Sequence, residues 1–477
     1  MNGEETMKRP NDTYPRHHCG VMGVFGLPDA SQHVFSGLYA LQHRGQESAG
    51  IVASDGERIR SAKGLGLLSE AVDQEDLADL PGHIGVGHVR YSTTGAKRVQ
   101  NIQPLVIEYS QGIVAIAHNG NLTNARSLRQ LYESRGSIFQ TSTDSEVIVH
   151  LLADPEHIGT ADPLGESLQH VRGAYSLVMM TSRRLMAARD PSGFRPLSLA
   201  RLGDGYVVAS ETCAFDLLGA EYVRDVRPGE IISIDESGLR SWQFTGRRAD
   251  RGARCIFELI YFSRPDSVVF GETVHNVRVR LGENLAERHP VEADVVISIP
   301  HSGDSAALGY SRRSGIPLDV GFISNRYIGR TFIKPPEEDR ERSVELKLNV
   351  VKEVVDGKRV VVVDDSIVRG TTSRGRLKML REAGARELHM RVSAPAIRYP
   401  CYYGIDFPDD NQLIAAQRSE ERIREFLGVD TLAYQSVEGL LGAVTDPREE
   451  YCLACFTGDY PVPVHEDMRR LAMESHT

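Results

Sequence analysis

The chain has 477 residues, of which 41% are hydrophobic and 25% charged, so it has the composition of an ordinary globular protein with room for two or three domains. No run of 18 or more apolar residues occurs, which excludes an obvious transmembrane helix. A net charge of -10 with scattered Lys and Arg argues against a general nucleic-acid binder, and six cysteines are too few for a secreted disulfide scaffold. We therefore expect a cytoplasmic protein whose reduced thiols are available for catalysis or metal binding.

The N-terminal 18 residues are polar and precede a cysteine that opens a Gly-spaced apolar strand. We predict that they are a removable leader rather than a disordered tail. Once the leader is removed, Cys19 has an α-amine with a pKa near neutrality, and that amine can accept the thiol proton. Because a single cysteine is more often a small buried hydrophobe, this role for Cys19 depends on the segments that follow.

Four later segments contain the residue types that glutamine hydrolysis needs. Leu41–Gly50 is polar with no obvious core face, Arg90 follows a short strand, Asn119 and Gly120 are predicted in a tight turn, and Asp144 lies near a helix start. An arginine can bind an amino-acid carboxylate, an acid can bind the amine, and amide N–H groups can stabilise an oxyanion. Each segment alone is also compatible with an ordinary turn or helix cap.

Taken together and in this order, the segments resemble the N-terminal-nucleophile glutaminase domain of glutamine amidotransferases. The resemblance implies an α/β/β/α sandwich. It also implies Cys19 as nucleophile, Asn119 and Gly120 as the oxyanion hole, and Arg90, Thr93 and Asp144 as glutamine-binding residues.

The polar stretch from Gln243 to Arg254 marks the predicted domain boundary, and helical and strand patterns alternate after it. This alternation predicts a mostly parallel sheet. We predict a leader at 1–18, a glutaminase domain at 19–250, a second domain that contains four of the cysteines at 251–461, and a polar tail at 462–477. Within the second half we predict helices at Val277–Glu287 and Gln417–Leu427, and strands at Ala293–Pro300 and Leu318–Ile323.

The run Val360–Val363 predicts a fully buried strand, and Asp364 and Asp365 follow it directly. A loop containing Gly370 comes next, before a helix that the pattern places from Arg376. Ligands of open α/β sheets bind beyond the carboxyl ends of the strands, and a glycine lets the backbone approach a phosphate. The acids can bind sugar hydroxyls or Mg2+. There is no Gly-Lys-Ser/Thr, so this is not a Walker A loop.

This stretch resembles the diphosphoribosyl-binding motif of type I phosphoribosyltransferases, and its residues are similar to those of the amidophosphoribosyltransferases. That family makes phosphoribosylamine from phosphoribosyl diphosphate and glutamine, the first committed step of purine biosynthesis. The resemblance implies that the phosphate and ribose are bound by Asp364, Asp365, Arg369, Gly370, Thr371, Thr372 and Ser373. It implies one Mg2+ held by Ser302, Asp364 and Asp365. It also implies a substrate-closing loop that includes Asn325, Arg326, Tyr327, Arg330 and Lys347.

Four cysteines of the second half form another candidate site. Cys452 and Cys455 form a C-x-x-C pair, while Cys255 and Cys401 lie far away in the sequence. Spacing alone leaves zinc and a 4Fe-4S cluster equally open. The surrounding residues resemble the iron–sulfur, propeptide-bearing branch of the family, which implies one structural 4Fe-4S cluster per subunit. The family also implies a homotetramer and inhibition by purine nucleotides. We interpret the remaining Cys213 as structural.

Three positions depart from the family pattern. His301 stands where an aspartate usually precedes Ser302, and Glu337 and Glu345 replace the usual glutamine and arginine of the closing loop. These changes leave three alternatives open: a paralogue with weakened or altered transferase specificity, a glutaminase serving another acceptor, and a non-catalytic sensor of phosphoribosyl diphosphate or nucleotides. We favour the enzyme, because a sensor has no need of the glutaminase residues.

Overall fold

The computed structural model of the chain describes residues 19–91, 99–244, 251–324, 348–405, 407, 410–446 and 448–464. The strands of its first half are β1 (Gly20–Phe25), β2 (Ser48–Ser54), β3 (Ile59–Leu65), β4 (Ile84–Arg90), β5 (Leu105–Tyr109), β6 (Gly112–Leu122), β7 (Gly173–Met180), β8 (Leu185–Arg189), β9 (Ser198–Leu202), β10 (Gly205–Ala209), β11 (Glu221–Asp225), β12 (Glu230–Asp235) and β13 (Gly238–Gln243). The helices are α1 (Ala30–Ala40), α2 (Leu68–Ala71), α3 (Gln74–Ala78), α4 (Ala125–Ser134), α5 (Glu146–Leu152), α6 (Pro155–Ile158), α7 (Pro163–Gln169) and α8 (Cys213–Leu218).

These strands form two antiparallel sheets packed face to face. One has the order β11-β9-β10-β1-β4-β2-β3, and the other has the order β13-β12-β8-β7-β6-β5. Val21, Val86, Ala115 and Val178 belong to the core between the sheets. Helices α1 and α8 pack on the outer face of the first sheet, and α5 and α7 pack on that of the second. The predicted α/β/β/α sandwich is therefore confirmed.

Gly23 of β1 lets the two sheets approach each other closely. A Cβ at Gly23 would lie 2.6 Å from Val178 Cγ1 of the opposite sheet, which explains the Gly-spaced pattern after Cys19.

The tight turn predicted at Asn119 and Gly120 is wrong. Both residues lie within β6, where they pair with Ser176 and Tyr175 of β7. A glycine is needed at position 120 for close packing rather than for a turn, because a Cβ there would lie 2.0 Å from the carbonyl oxygen of Ala174.

The second half adds the strands β14 (Arg254–Cys255), β15 (Val268–Val269), β16 (Glu272–Thr273), β17 (Val295–Ser298), β18 (Phe322–Ser324), β19 (Leu348–Val350), β20 (Arg359–Asp364), β21 (Glu387–Val392), β22 (Thr431–Tyr434) and β23 (Tyr451–Cys452). Its helices are α9 (Val274–Arg288), α10 (Asp304–Ser314), α11 (Lys352–Val355), α12 (Thr371–Glu382), α13 (Ile414–Gln417), α14 (Glu420–Leu427), α15 (Val437–Leu441) and α16 (Ala454–Thr457), with a π-helix at Glu258–Phe262.

Strands β17, β20, β21 and β22 form the predicted parallel sheet, in the order β17-β20-β21-β22. Val360 and Val362 pack into the core on one face, and Val361 and Val363 pack into the core on the other. Burial on both faces explains why this strand is an unbroken apolar run rather than an alternating one.

Two predicted elements of this half need correction. Of the predicted strand at Leu318–Ile323, only Phe322 and Ile323 lie in a strand, as part of β18, which pairs with β19. Leu318 makes a single bridge to Val296. The predicted helix at Gln417–Leu427 is divided because Arg418 is extended and the Ser419 side chain caps α14 by accepting from the Arg422 N–H.

The segment Leu41–Gly50 was predicted without a core face, and this is also wrong. It contributes the start of β2, and the Arg44 side chain, which is only 1% exposed, pairs with two buried glutamates, Glu211 and Glu258.

In the part of the chain that the structure describes, we find no helix with the length and apolar character that a membrane span requires. The predicted domain limits stay predictions.

Candidate functional site

Cys19 lies directly before β1 at the edge of the inter-sheet core, and it is 9% exposed. Its thiol donates to the Tyr91 carbonyl oxygen at 3.8 Å, and its own carbonyl oxygen accepts from Arg44 Nε at 3.2 Å. Burial raises the pKa of the Cys19 thiol, although Arg90 and the Tyr91 hydrogen bond oppose the rise. The thiol is therefore protonated at neutral pH, and it needs a base before it can act as a nucleophile.

Arg90 and Asp144 both act electrostatically on Cys19, so the structure brings these three predicted residues together. Arg90 ends β4, where its Nη1 donates to the Asn101 carbonyl oxygen at 2.9 Å. Thr93, the other predicted glutamine-binding residue, lies outside the described residues. A cation and an anion beside one thiol match the two charged groups of an amino acid.

Asp144 is held ionised by fixed donors. Burial opposes ionisation, yet His118 and hydrogen bonds from the Leu122 N–H and Ser145 lower the pKa of Asp144 below its ordinary value. The Leu122 N–H lies 2.9 Å from Asp144 Oδ2, and His118 Nδ1 lies 3.7 Å from Oδ1.

Asn119 is fully buried, yet neither its Oδ1 nor its Nδ2 has a hydrogen-bond partner among the described residues. Asn119 is on the same face of β6 as Ala115 and Ala117, which line the core between the sheets. In the same way, Cys19 precedes Val21 by two residues, and Val21 lines that core from β1. His88 Nε2 of β4 lies 3.1 Å from the His118 carbonyl oxygen, so Asn119 and Cys19 extend into the same end of the sandwich. A buried amide without a partner is costly, which indicates that a ligand supplies one.

Sequence reasoning missed the residues that support this pocket. Gln103 Oε1 accepts from the His118 N–H at 2.7 Å, and His118 Nδ1 lies 2.9 Å from Ser145 Oγ. Beside Arg90, a cavity of about 500 Å³ is lined by Gln100, Asn101, Phe139, Gln140, Thr141 and Ser142. His118 and Ser145 are sequence neighbours of predicted residues, whereas nothing in the sequence marks Asn101 or Gln103.

Asp364 and Asp365 lie at the carboxyl end of β20, and each is 2% exposed. Ser302 Oγ donates to Asp364 Oδ1 at 3.4 Å, and Ser366 Oγ donates to Asp365 Oδ1 at 2.5 Å. Burial raises the pKa of both carboxyls, and repulsion from Asp365 raises that of Asp364 further. Two buried acids beside a hydroxyl fit a hard cation with oxygen ligands, such as Mg2+.

The loop after this pair leads directly into a helix. Gly370 has φ +78° and is the N-cap of α12, and a Cβ there would lie 2.9 Å from Ile414 Cδ1. The helix begins at Thr371, five residues before the predicted start, so Thr371, Thr372 and Ser373 form its first turn. Main-chain N–H groups at a helix N-terminus bind anions, and Arg369 precedes them.

His301 lies on the exposed side of this region. Its Nδ1 lies 3.2 Å from Asp304 Oδ2, and its Nε2 lies 3.3 Å from Ser324 Oγ. Ser324 is the last described residue before the predicted closing loop. The loop residues Asn325, Arg326, Tyr327, Arg330 and Lys347, with Glu337 and Glu345, lie outside the described residues.

The four cysteines of the second half converge. Cys255 and Cys452 are register partners of the parallel pair β14–β23, and Cys401 and Cys455 interact electrostatically with both. None of the four is in a disulfide. Burial raises the pKa of each thiol, that of Cys255 to about 11, and Arg195 beside Cys255 and Cys401 opposes the rise.

Among the described side chains, no group of three or more His, Cys, Asp or Glu residues is arranged to hold a single metal ion. As a donor set, four thiols fit either zinc or an iron–sulfur cluster.

Comparison with known proteins gives matches along nearly the whole chain. A sequence family described as a glutamine amidotransferase domain matches residues 88–216. The amidophosphoribosyltransferase of Bacillus subtilis (strain 168) is 50% identical over 454 residues, which are 94% of this chain and 95% of that protein. The amidophosphoribosyltransferase of Methanocaldococcus jannaschii is 48% identical over 465 residues, which are 94% of this chain and 98% of that protein.

Solved structures match over the same length. One is of a glutamine phosphoribosylpyrophosphate (PRPP) amidotransferase from B. subtilis complexed with ADP and GMP, with a TM-score of 0.89, 50% identity, and coverage of 94% of this chain and 98% of that chain. Another is described as the allosteric regulatory enzyme of purine biosynthesis, with a TM-score of 0.90, 50% identity, and coverage of 94% of this chain and 97% of that chain.

Proposed function

The chain belongs to the amidophosphoribosyltransferase family, and from this premise we propose how its two sites share the reaction. It is an enzyme that forms phosphoribosylamine from phosphoribosyl diphosphate and glutamine, the first step of purine biosynthesis. The Cys19 pocket releases ammonia from glutamine, and the Asp364–Asp365 site uses that ammonia.

In the first site, Arg90 binds the α-carboxylate of glutamine and Asp144 binds its α-amine. Because Asp144 is already ionised by its fixed donors, it can pair with an ammonium group without first losing a proton.

Cys19 then attacks the side-chain carbonyl carbon of glutamine. The thiol proton passes to a base, which is the α-amine of Cys19 once the predicted leader is removed. Ammonia leaves, and water hydrolyses the thioester to glutamate. Asn119 Nδ2 and the Gly120 N–H stabilise the tetrahedral oxyanion.

The observation that carries this assignment is the Asn119 amide, whose two polar atoms have no partner among the described residues. A structural asparagine at a fully buried position would be hydrogen-bonded by the protein. An amide that must bind an oxyanion is instead left available in the resting protein.

In the second site, ammonia attacks the anomeric carbon of phosphoribosyl diphosphate as the diphosphate leaves. Thr371, Thr372, Ser373 and the N-terminal N–H groups of α12 bind the 5-phosphate. Ser302, Asp364 and Asp365 would hold one Mg2+, which when bound neutralises charge on the leaving diphosphate. Their burial keeps competing water away from the carboxylates.

We propose that the four cysteines hold a 4Fe-4S cluster rather than zinc. The support is the convergence of four free cysteines, together with the resemblance of their flanking residues to the iron–sulfur branch of the family. Metal analysis of protein purified without oxygen tests this. About four iron atoms per chain agree with the proposal, and about one zinc atom per chain contradicts it.

Purine nucleotides are the proposed inhibitors, since the B. subtilis relative was solved with ADP and GMP. We also propose a homotetramer, which sedimentation analysis can test.

The proposed division of the reaction between the two sites is tested by measuring the release of glutamate and of diphosphate in one reaction. Protein that begins at Cys19, purified without oxygen, is mixed with glutamine, Mg2+ and phosphoribosyl diphosphate. Equal release of glutamate and diphosphate is the expected result. Glutamate without diphosphate would indicate another acceptor, and neither product would indicate a sensor.

A further inference from the structure

A short loop beside the proposed glutamine pocket is held by one buried carboxylate. The loop comprises residues 139–143 and leads directly into Asp144. Glu146, the first residue of α5, is 2% exposed. Its Oε1 accepts from the Gln140 N–H at 2.7 Å, and its Oε2 accepts from the Thr141 N–H and the Thr141 hydroxyl, each at 2.8 Å. A carboxylate in the first turn of a helix stabilises that end of the helix, but this one also binds three donors of the preceding loop.

Arg129 of α4 holds the same loop by its carbonyl groups. Its Nη2 donates to the Thr141 carbonyl oxygen at 2.8 Å and to that of Thr143 at 3.3 Å. Its guanidinium carbon lies 4.1 Å from the centre of the Phe139 ring, and its Nη2 lies 3.7 Å from Glu146 Oε2. An anion and a cation therefore fix the N–H groups and the carbonyl groups of one loop.

The 139–143 loop connects the two charged residues that are proposed to bind glutamine. The Ser142 N–H donates to Asn101 Oδ1 at 3.1 Å, and Asn101 Nδ2 donates to Ser142 Oγ at 2.9 Å. The Asn101 carbonyl oxygen in turn accepts from Arg90 Nη1 at 2.9 Å. Asp144 follows the loop in the chain. The position of Arg90 relative to Asp144 therefore depends on where the loop is held.

Glu146 holds the loop as a charged group. Burial opposes its ionisation, yet His150 and the donors of the loop lower the pKa of Glu146 to about 2. Hydrogen bonds to an ionised acceptor are stronger than those to a neutral one. A glutamine at this position would keep the shape, but it has one oxygen acceptor where the carboxylate has two.

We propose that Glu146 is a positioning residue that holds the 139–143 loop and thereby sets the placement of Arg90 and Asp144 for the α-carboxylate and α-amine of glutamine. It acts on recognition of the amino-acid end of the substrate, and it does not touch the reacting atoms. The inference rests on the proposed roles of Cys19, Arg90 and Asp144.

The experiment measures the KM and kcat for glutamine by glutamate release. The protein begins at Cys19, is purified without oxygen, and is saturated with phosphoribosyl diphosphate and Mg2+. In Glu146→Gln, the KM for glutamine should rise about 10-fold, because a buried N–H of the loop loses its acceptor. The kcat should stay within about 2-fold of wild type, since the nucleophile and the oxyanion hole are unchanged.

Alkylation of Cys19 by iodoacetamide separates poor positioning from a damaged pocket. Iodoacetamide has no α-carboxylate and no α-amine, so its reaction does not require the placement of Arg90 and Asp144. Peptide mass spectrometry distinguishes Cys19 from the other cysteines. The alkylation rate of Glu146→Gln should equal that of wild type, while protection by glutamine should need about 10-fold more glutamine.

Glu230→Gln is the matched control. Glu230 is 3% exposed, pairs with Arg224 through two contacts of 2.8 Å, and accepts from the Arg227 N–H at 2.8 Å. It begins β12, which β8 and β7 separate from β6 in the second sheet. The same substitution thus removes a comparable buried charge away from the loop, and its KM should equal that of wild type.

Arg129→Gln serves as a second variant if Glu146→Gln does not fold. It removes the donor to the Thr141 and Thr143 carbonyl oxygens, and it should raise the KM for glutamine about 3-fold. Arg135→Gln is its control, because Arg135 follows α4 and pairs with Asp154 at 3.4 Å instead.

An unchanged KM in folded Glu146→Gln or in Arg129→Gln would overturn the proposal. A fall in kcat without a rise in KM, or an alkylation rate that changes as much as the KM, would also overturn it. Absence of glutamate from wild type would overturn the proposed role of Cys19, and this inference with it.

Discussion

Asp144, whose side chain is 14% exposed, and Asp364, which is 2% exposed, are both carboxyls at a candidate ligand site, yet the structure moves their pKa values in opposite directions. Burial opposes the ionisation of both. At Asp144, His118, the Leu122 N–H and Ser145 overcome it and lower the pKa. At Asp364, the neighbouring Asp365 adds repulsion, and the pKa rises. The charge of Asp144 is thus balanced within the protein, whereas the charge of the Asp364–Asp365 pair would be balanced by the proposed Mg2+.

The largest expected effect comes from removing the unpaired amide of the first site. Asn119→Ala should lower the rate of glutamine hydrolysis by about 10² to 10³-fold, as for other oxyanion-hole donors. It should cost little free energy of unfolding, because no hydrogen bond of the described structure is lost. Steady-state kinetics and urea unfolding measure the two quantities.

Asn121→Ala is the control on the same strand. Asn121 Nδ2 donates to the Tyr402 carbonyl oxygen at 2.9 Å, so this change should lower the free energy of unfolding by about 1 kcal/mol. Glutamine hydrolysis should stay within a few-fold of wild type. The reverse pattern for the two variants would exclude Asn119 from the oxyanion hole.

At the second site, we expect both activity and stability to depend on the proposed Mg2+. Asp364→Asn should lower ammonia-dependent diphosphate release on the order of 100-fold, since a bound metal contributes several kcal/mol. Mg2+ should raise the melting temperature of wild type and leave that of the variant unchanged. A variant that Mg2+ still stabilises equally would place the metal elsewhere.

The lowered pKa of Asp144 determines how its contribution to the free energy of unfolding changes with pH. Because its folded-state pKa is lowered, its stabilising contribution is complete above the ordinary value of 3.8 and is lost as the pH falls through the folded-state pKa. Asp144→Asn should therefore lower the free energy of unfolding at pH 7. Urea unfolding at several pH values should show the difference from wild type shrinking as the pH falls below about 4. A difference that grows in acid would contradict the sign.

The smallest effect concerns His301, where the family usually has an aspartate. The side chain is 63% exposed, so an introduced charge is largely screened by solvent. His301→Asp should lower the KM for phosphoribosyl diphosphate about 3-fold, by adding an oxygen ligand or by releasing Asp304. An unchanged KM would show that the departure from the family pattern is neutral at this position.

The sequence was sufficient to predict a structural feature where all of its residues lie in one short segment. Val360–Val363 is buried on both faces, and the acids and Gly370 lie where the apolar run predicted them. Cys19 and Asp144 also lie together as the resemblance implied.

Long-range pairing was beyond the reach of the sequence. The segment Leu41–Gly50 showed no core face in the sequence, because the partners of Arg44, which are Glu211 and Glu258, are 167 and 214 residues away. Asn119 and Gly120 have turn composition, yet pairing with β7 keeps them in a strand. In both cases distant neighbours overrode the local preference.

The most direct test of two separate but cooperating sites uses Cys19→Ala supplied first with glutamine and then with ammonia, each with Mg2+ and phosphoribosyl diphosphate. The account predicts no glutamate and no diphosphate from glutamine, and diphosphate release near the wild-type ammonia rate once ammonia is added. Diphosphate release from glutamine in this variant, or none with ammonia from a folded protein, would contradict it.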